Sequence, residues 1–329
     1  MSLWVDKYRP KRLSELTYHL EQANDFAELV KTNDFPHLLL YGPSGAGKRT
    51  RIHCILRELY GSGAQRLRLD RKSLTTPSNR KIEIDTVSSN YHIEMNPGEV
   101  GIYDRVVVQE IIKQIAQTSQ IASSTQKSFK VVVLMEADQL TLDAQHALRR
   151  TMEKYSMSCR LIICCESLSR IIDPLKSRCM TIRIAAPTDD EIVTKARGNV
   201  RRALLSMEAV KRKGLPIKDN EQVPEPEWEI YIRETAELIM KKQSNENVIA
   251  VRERLYELIS RCIQPSTIFC VGVKYLLREL LKRSPQSIRL EIIEVAALYE
   301  HRLRKGQKAI IHLEAFVVAF MDIYLNSIS

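Results

Sequence analysis

Aromatic side chains make up only 6% of the 329 residues. A β-sandwich draws heavily on such residues, so their scarcity favours a helix-rich α/β protein. Long apolar runs are also missing, and none reaches the ~18 residues of a membrane span. The N-terminus, MSLWVDKYRPKRL, has no apolar stretch and so is not a secretory signal. The seven cysteines (Cys54, Cys159, Cys164, Cys165, Cys179, Cys262, Cys270) show no Cys-x-x-Cys pair and no partnering histidine spacing. They read as reduced, mostly buried thiols of an intracellular protein, which argues against a zinc site. Internal repeats and low-complexity tracts are absent too.

What is present describes a soluble chain long enough for two or three domains. Hydrophobic residues are 44% and charged residues 27% of it, and the formal net charge is +10. A basic balance of this size fits a partner with a phosphate backbone, though many soluble proteins are modestly basic.

Phe35–Tyr41 is a short apolar run that reads as a buried strand. A glycine-rich loop follows, and Lys48–Tyr60 reads as a helix. Further strands are predicted at Phe129–Met135, Cys159–Cys165 and Met180–Ile184. Between them, Leu142–Tyr155 places Ala144, Ala147, Leu148 and Met152 on one side of a helix. Strands alternating with helices imply a parallel sheet with helices on both faces. Strand signals fade after Ala185-Ala-Pro187, and from Trp228 onward the apolar spacing is helical: Ile230, Ile232, Ala236 and Ile239, then Val251, Leu255, Leu258 and Ile259, then Ile292, Val295, Ala296 and Tyr299.

Gly42-Pro-Ser-Gly-Ala-Gly-Lys48 lies between a predicted strand and a predicted helix, the context a phosphate-binding loop requires. Its backbone N–H groups can curl around phosphate oxygens, and Lys48 can reach the outer phosphates. The next residue is ordinarily Ser or Thr, whose hydroxyl ligates Mg²⁺. Here it is Arg49, with Thr50 one place on and rotated by about 100°. The strand at Phe129–Met135 would ordinarily end in Asp-Glu, and here Met135 replaces the Asp while Glu136 survives. Methionine offers no hard oxygen to magnesium. Such a site is expected to hold ATP or ADP with Mg²⁺ weak or absent. If losing both supports costs ~3 kcal/mol, hydrolysis slows by about 150-fold.

These residues resemble replication factor C, the eukaryotic clamp loader of the AAA+ family. Trp4-Val-Asp-Lys-Tyr-Arg-Pro10 is similar to that family's N-terminal box, which lies near the adenine. Pro36–Pro43 is similar to its entry to the phosphate loop, and Ala144–Glu153 to its central helix. Ser177-Arg-Cys179 matches its arginine-finger box, and Gly198-Asn-Val-Arg-Arg-Ala-Leu204 resembles its second sensor. Arg49, Met135 and Asn90–Pro97 make the resemblance closest to the small subunit with a degenerate ATPase site. At the first-sensor position, usually Asn, stands Glu166, which would repel a γ-phosphate.

The resemblance implies an AAA+ P-loop core over 1–186, a shortened lid and linker over 187–222, and an all-α collar for assembly over 223–329. Thr188–Arg197 is too short for the family's lid bundle, since one average helix takes about 11–12 residues. Arg201 and Arg202 would then lose their support. Nucleotide contacts are expected from Gly42, Pro43, Ser44, Gly45, Ala46, Gly47, Lys48, Arg49, Thr50, Val5, Tyr8, Arg9 and Arg201. DNA contacts are expected from Arg105, Gln145 and Arg149, with catalysis in trans by the finger Arg178 and an idle water-orienting role for Glu136. The implied partners are the other replication factor C subunits (one large, three small), the sliding clamp PCNA and primer–template DNA, in the nucleus and with no membrane. An autonomous P-loop ATPase and a scaffold that binds no nucleotide are the competing readings.

Overall fold

Four of the apolar runs become strands β1 (Leu38–Tyr41), β5 (Lys130–Leu134), β6 (Cys159–Cys165) and β7 (Met180–Arg183). Three further strands, β2 (Arg68–Thr75), β3 (Lys81–Ser88) and β4 (His92–Met95), complete a seven-stranded sheet in the order β2-β3-β4-β5-β6-β1-β7. The computed structural model describes residues 2–32, 35–75, 81–117, 129–187, 199–212, 226–269, 276–306 and 308–328. Two compact units divide between Val223 and Pro224.

From β4 to β7 the sheet is parallel, with Leu38 opposite both Ile162 and Met180. Strands covered on both faces are apolar at nearly every position, which is why β1, β5 and β6 stood out in the sequence. The far edge departs from the parallel sheet expected, because β2–β3 and β3–β4 pair antiparallel. On β3, Ile82, Ile84 and Thr86 are buried while Lys81, Glu83 and Asp85 face solvent, the alternation of a one-sided strand.

Helices α1 (Trp4–Lys7), α2 (Leu20–Lys31), α3 (Lys48–Tyr60), α4 (Asp104–Gln117), α5 (Leu142–Lys154), α6 (Asp173–Lys176) and α7 (Val200–Arg212) belong to the first unit. Phe26, Ile52, Ile55 and Leu56 of α2 and α3 join Leu38, Leu40, Val131 and Val133 in one core. Val108, Ile111, Leu148 and Met152 of α4 and α5 join Leu39, Val132, Leu134 and Leu161 in the other. Each such fully buried side chain contributes roughly 1.5–3 kcal/mol of transfer free energy. This is the AAA+ P-loop architecture. Its loops at the carboxyl ends of β1, β5 and β6 share one edge, where open α/β sheets take ligands.

The second unit is helical throughout its described residues: α8 (Glu227–Lys241), α9 (Asn245–Ser260), α10 (Pro265–Phe269), α11 (Leu276–Arg283), α12 (Arg289–Lys305) and α13 (Ala309–Ile328). Ile232, Ile239, Leu255, Phe269, Phe316 and Phe320 share its core. Ser244 caps α9 by accepting from Asn247 N. One expectation needs correcting here, since Ala309–Ser327 is long and apolar enough to cross a membrane. One face of it packs into the second unit's core through Leu313, Phe316, Val317 and Phe320, while Ile311 and Val318 stay exposed and Glu314 is paired with Arg252.

Candidate functional site

The phosphate loop owes its shape to glycines that no other residue replaces comfortably. Gly45 and Gly47 have φ of +77° and +83°, in the left-handed region. A Cβ on Gly45 would lie 1.9 Å from Asn199 Oδ1, and one on Gly47 would lie 2.3 Å from Tyr18 Oη. Gly47 is also the N-cap of α3, so the helix begins at Lys48 with its amide ends turned into the loop. Lys48 Nζ donates to the carbonyls of Gly42 (2.6 Å) and Pro43 (3.0 Å). Beneath the loop, Tyr18 Oη donates to Ala46 O at 3.0 Å. The buried Arg51 donates to Tyr18 O at 2.9 Å and lies over the Tyr18 ring at 4.6 Å. The loop is thus braced from below by a tyrosine and an arginine.

The neighbouring place, where Mg²⁺ would sit in a standard P-loop, does not fit that ion. Arg49 Nε lies 2.7 Å from Glu94 Oε1 on β4, and His53 Nε2 lies 3.5 Å from Glu94 Oε2. Burial raises the Glu94 carboxyl, and Arg49 draws it back down. Met135, half-buried, packs against the core on the α3 side of the sheet. A cation and a thioether therefore stand where two hard oxygens are needed. Thr50 is half-buried on α3. Glu136 stays at the site, exposed and in the left-handed region (φ +51°). It accepts from Gln139 Nε2 at 2.8 Å and Asn96 Nδ2 at 3.3 Å. Glu166 is exposed just past the end of β6.

Helix α7 corrects the expectation that the second sensor lacks support. Residues 188–198, over which a shortened lid was expected, lie outside the described residues. Asn199 caps α7 by accepting from Arg202 N at 3.0 Å, and its side chain lies against Gly45 of the phosphate loop. Farther along, the buried Glu208 accepts from Trp4 N at 2.9 Å and pairs with Arg212 at 2.6 Å. Lys211 lies 5.0 Å over the Trp4 ring. The N-terminal box and the second sensor are therefore joined. Arg201 is exposed on α7, Val5 is half-buried on α1, and Tyr8 is 60% exposed. Arg9 pairs with Asp6 at 3.2 Å, and its charge reaches Glu94 and His53.

The expected DNA residues separate. Arg105 is exposed at the start of α4, where Asp104 accepts from its backbone N–H and also from Thr141 N and Thr141 Oγ1. Arg149 is half-buried on α5. Gln145 must be corrected: it is 1% exposed. Its amide donates to Leu140 O and Arg170 O and accepts from Ile172 N, so it braces the α5–α6 region and does not reach a ligand. Arg178, after α6, donates through Nε and Nη2 to Glu153 Oε1 (2.9 and 2.6 Å) and through Nη1 to Pro174 O (2.8 Å).

Sequence reasoning missed Glu94, Tyr18, Asn199 and Glu153. Glu94 lies inside the Asn90–Pro97 run, Glu153 inside the central-helix run and Asn199 inside the second-sensor run, but none of these resemblances points to the contacts they make. The signal for Glu94 was the carboxylate in the short run His92-Ile-Glu-Met95, an acid between two apolar residues close to a misplaced arginine in space but not in sequence.

Residues 228–328 match the family described as the replication factor C subunit 3 C-terminal domain, and residues 18–188 match the DNA polymerase III delta subunit family. The chain is similar to replication factor C subunit 3 of Mus musculus, 50% identical over 98% of this chain and 96% of that one. The Homo sapiens protein of the same name is also 50% identical with the same coverage. Replication factor C subunit 5 of Schizosaccharomyces pombe is 44% identical over 98% of this chain and 96% of its own length. The mouse alignment spans 347 positions against a chain of 329 residues, so that relative carries residues this chain lacks. The chain belongs to the family of replication factor C small subunits, clamp-loader subunits that include those named subunit 3 and subunit 5.

Proposed function

We propose that this chain works in a clamp loader that uses ATP to place the sliding clamp PCNA on primer–template DNA, in replication and repair in the nucleus. Its own loop holds ATP or ADP and hardly hydrolyses it. Its catalytic contribution is Arg178, offered to the γ-phosphate of a neighbouring subunit, where a fixed guanidinium stabilises transition-state charge. The helical second unit joins it to the other subunits, one large and three small. Arg105 and Arg149 are its candidates for tracking DNA phosphates.

The observation that carries this reading is a well-formed phosphate loop beside Arg49 and Met135, where the metal supports of a self-sufficient ATPase are missing. An autonomous P-loop ATPase is disfavoured by the same two residues, and a scaffold without nucleotide is disfavoured by the glycine geometry and Lys48. The test is reconstitution. The chain should co-purify with the other subunits, retain adenine nucleotide, and show negligible turnover alone. Turnover by the lone chain at about 1 s⁻¹ or more would support the autonomous enzyme instead. An empty loop in the assembled complex would support the scaffold.

A further inference from the structure

Arg49 is more than a lost hydroxyl, because the fold gives it a dedicated counter-ion. The Glu94 side chain is 6% exposed and that of Arg49 is 43% exposed, with 2.7 Å between Nε and Oε1. The carboxylate is thus sunk beneath α3, and the guanidinium stands half in solvent at the mouth of the loop. His53, one turn along α3, approaches the other carboxylate oxygen but stays neutral. Burial first, then Arg49 and Arg9, push its pKa down to about 4. The charge of Glu94 is therefore left to arginine. Arg9, from the N-terminal box, acts on the same carboxylate. One strand over, β5 runs in register with β4, Glu94 opposite Val133, and delivers the thioether of Met135 just beyond its end.

We infer that Arg49, clamped by Glu94, takes the place of the magnesium ion, so that the loop binds nucleotide phosphates free of metal. The inference rests on the nucleotide site proposed above. A carboxylate on Nε orients the planar guanidinium and does not occupy its two terminal nitrogens, which can donate to phosphate oxygens in pairs. Magnesium asks for near-octahedral oxygen ligands, which Arg49 and Met135 do not supply. It would also sit beside a fixed positive charge, and like charges at short range repel. Phosphates that arrive with a bound metal should therefore fit less well than bare ones.

The experiment is calorimetric titration of the full chain with ADP, once with excess Mg²⁺ and once with excess EDTA. The expected result is binding in EDTA that equals or exceeds binding in Mg²⁺. Binding at least about tenfold tighter in Mg²⁺ would overturn the inference and leave the nucleotide site standing. Binding in neither buffer would overturn the nucleotide site and the inference with it. A triple variant, Arg49→Thr with Met135→Asp and Glu94→Gln, restores two oxygen ligands and leaves no buried carboxylate unpaired. It should acquire about tenfold tighter binding in Mg²⁺ than in EDTA. If it folds and remains indifferent to the metal, Arg49 is not the reason for metal-free binding. The wild-type comparison decides the matter even if that variant does not fold.

Discussion

Replacing Arg49 with alanine should destabilise the first unit, by an amount that depends on pH. Glu94 would keep its buried position and lose the guanidinium 2.7 Å away. Breaking a buried ion pair from one side typically costs about 3–5 kcal/mol, because the remaining charge is uncompensated. Arg49 is 43% exposed and Arg9 still acts on the carboxylate, so solvent and the second arginine soften the loss to about 2 kcal/mol. With Arg49 gone, burial acts on Glu94 with less opposition and its pKa rises further. A carboxyl whose folded pKa lies above its unfolded one takes up protons on folding. Its stabilising contribution is full below the unfolded pKa and is lost as pH rises through the folded value. The gap between wild type and Arg49→Ala should therefore be widest near about pH 8 and narrow towards about pH 5. Urea denaturation reads it, with Trp4 fluorescence followed in a Trp228→Phe background so that the first unit reports alone. Arg49→Met combined with Glu94→Leu should fall close to wild type, since replacing both partners by apolar groups is often neutral. A single-variant loss below about 0.5 kcal/mol, or a gap that widens on acidification, would refute the buried-carboxylate argument.

Four further outcomes are expected. His92 is 1% exposed, and burial holds its pKa near about 4, below the 6.5 of a free histidine. Stability should fall as pH drops from 6.5 towards 4, by up to roughly 3 kcal/mol from this group, and His92→Gln should flatten that acid limb in urea titrations. Gln145→Ala should cost about 2 kcal/mol by orphaning three backbone partners, yet leave the salt dependence of DNA binding by the assembled complex unchanged. Gly45→Ala should drive Asn199 off the loop, weaken ADP binding about tenfold or more and speed amide exchange in α7. Adding Asn199→Ala to that variant should relieve the clash, though not the strain of the left-handed φ, at a cost of about 1 kcal/mol of lost helix cap. Arg178→Ala should leave folding and assembly nearly unchanged but lower hydrolysis at the neighbouring site about 10³-fold or more, with Arg178→Lys only a partial remedy. Equal turnover with wild type would leave Arg178 as a structural charge bound to Glu153.

Much of the first unit could be read from its apolar runs because parallel strands buried on both faces leave no room for polar side chains. The same rule explains the miss at the sheet edge. Strand β2 exposes most of its side chains, burying Leu74 alone, so its sequence carries no hydrophobic signature. The motif residues at 42–48 were legible because their spacing is local, fixed by one turn between a strand and a helix. Their supports were not, because Tyr18, Glu94 and Asn199 come to the loop from three distant places in the chain. Gln145 illustrates the opposite error. A polar residue on a helix thought to face DNA looks like a contact, and only three backbone partners reveal that it is sealed in.

Helix α7, which the resemblance makes the second sensor, is held by contacts that lie outside residues 188–198. A helix held only by the lid would drift once that bundle was shortened, because ordering costs roughly 1–2 kcal/mol per residue with little burial to offset them. Helix α7 instead has attachments at both ends that lie outside the lid. Its cap, Asn199, abuts Gly45 of the phosphate loop, and near its far end Glu208 accepts from the backbone of Trp4. Lys211 adds a contact with the Trp4 ring. A buried carboxylate bonded to a backbone amide and to Arg212 is costly to expose, so the joint between the N-terminal box and the sensor resists opening. The phosphate loop, the N-terminal segment and α7 are thus linked as one structural triangle. The position of α7 is thus set by its contacts with the phosphate loop and with the N-terminal segment, through Asn199 and Glu208.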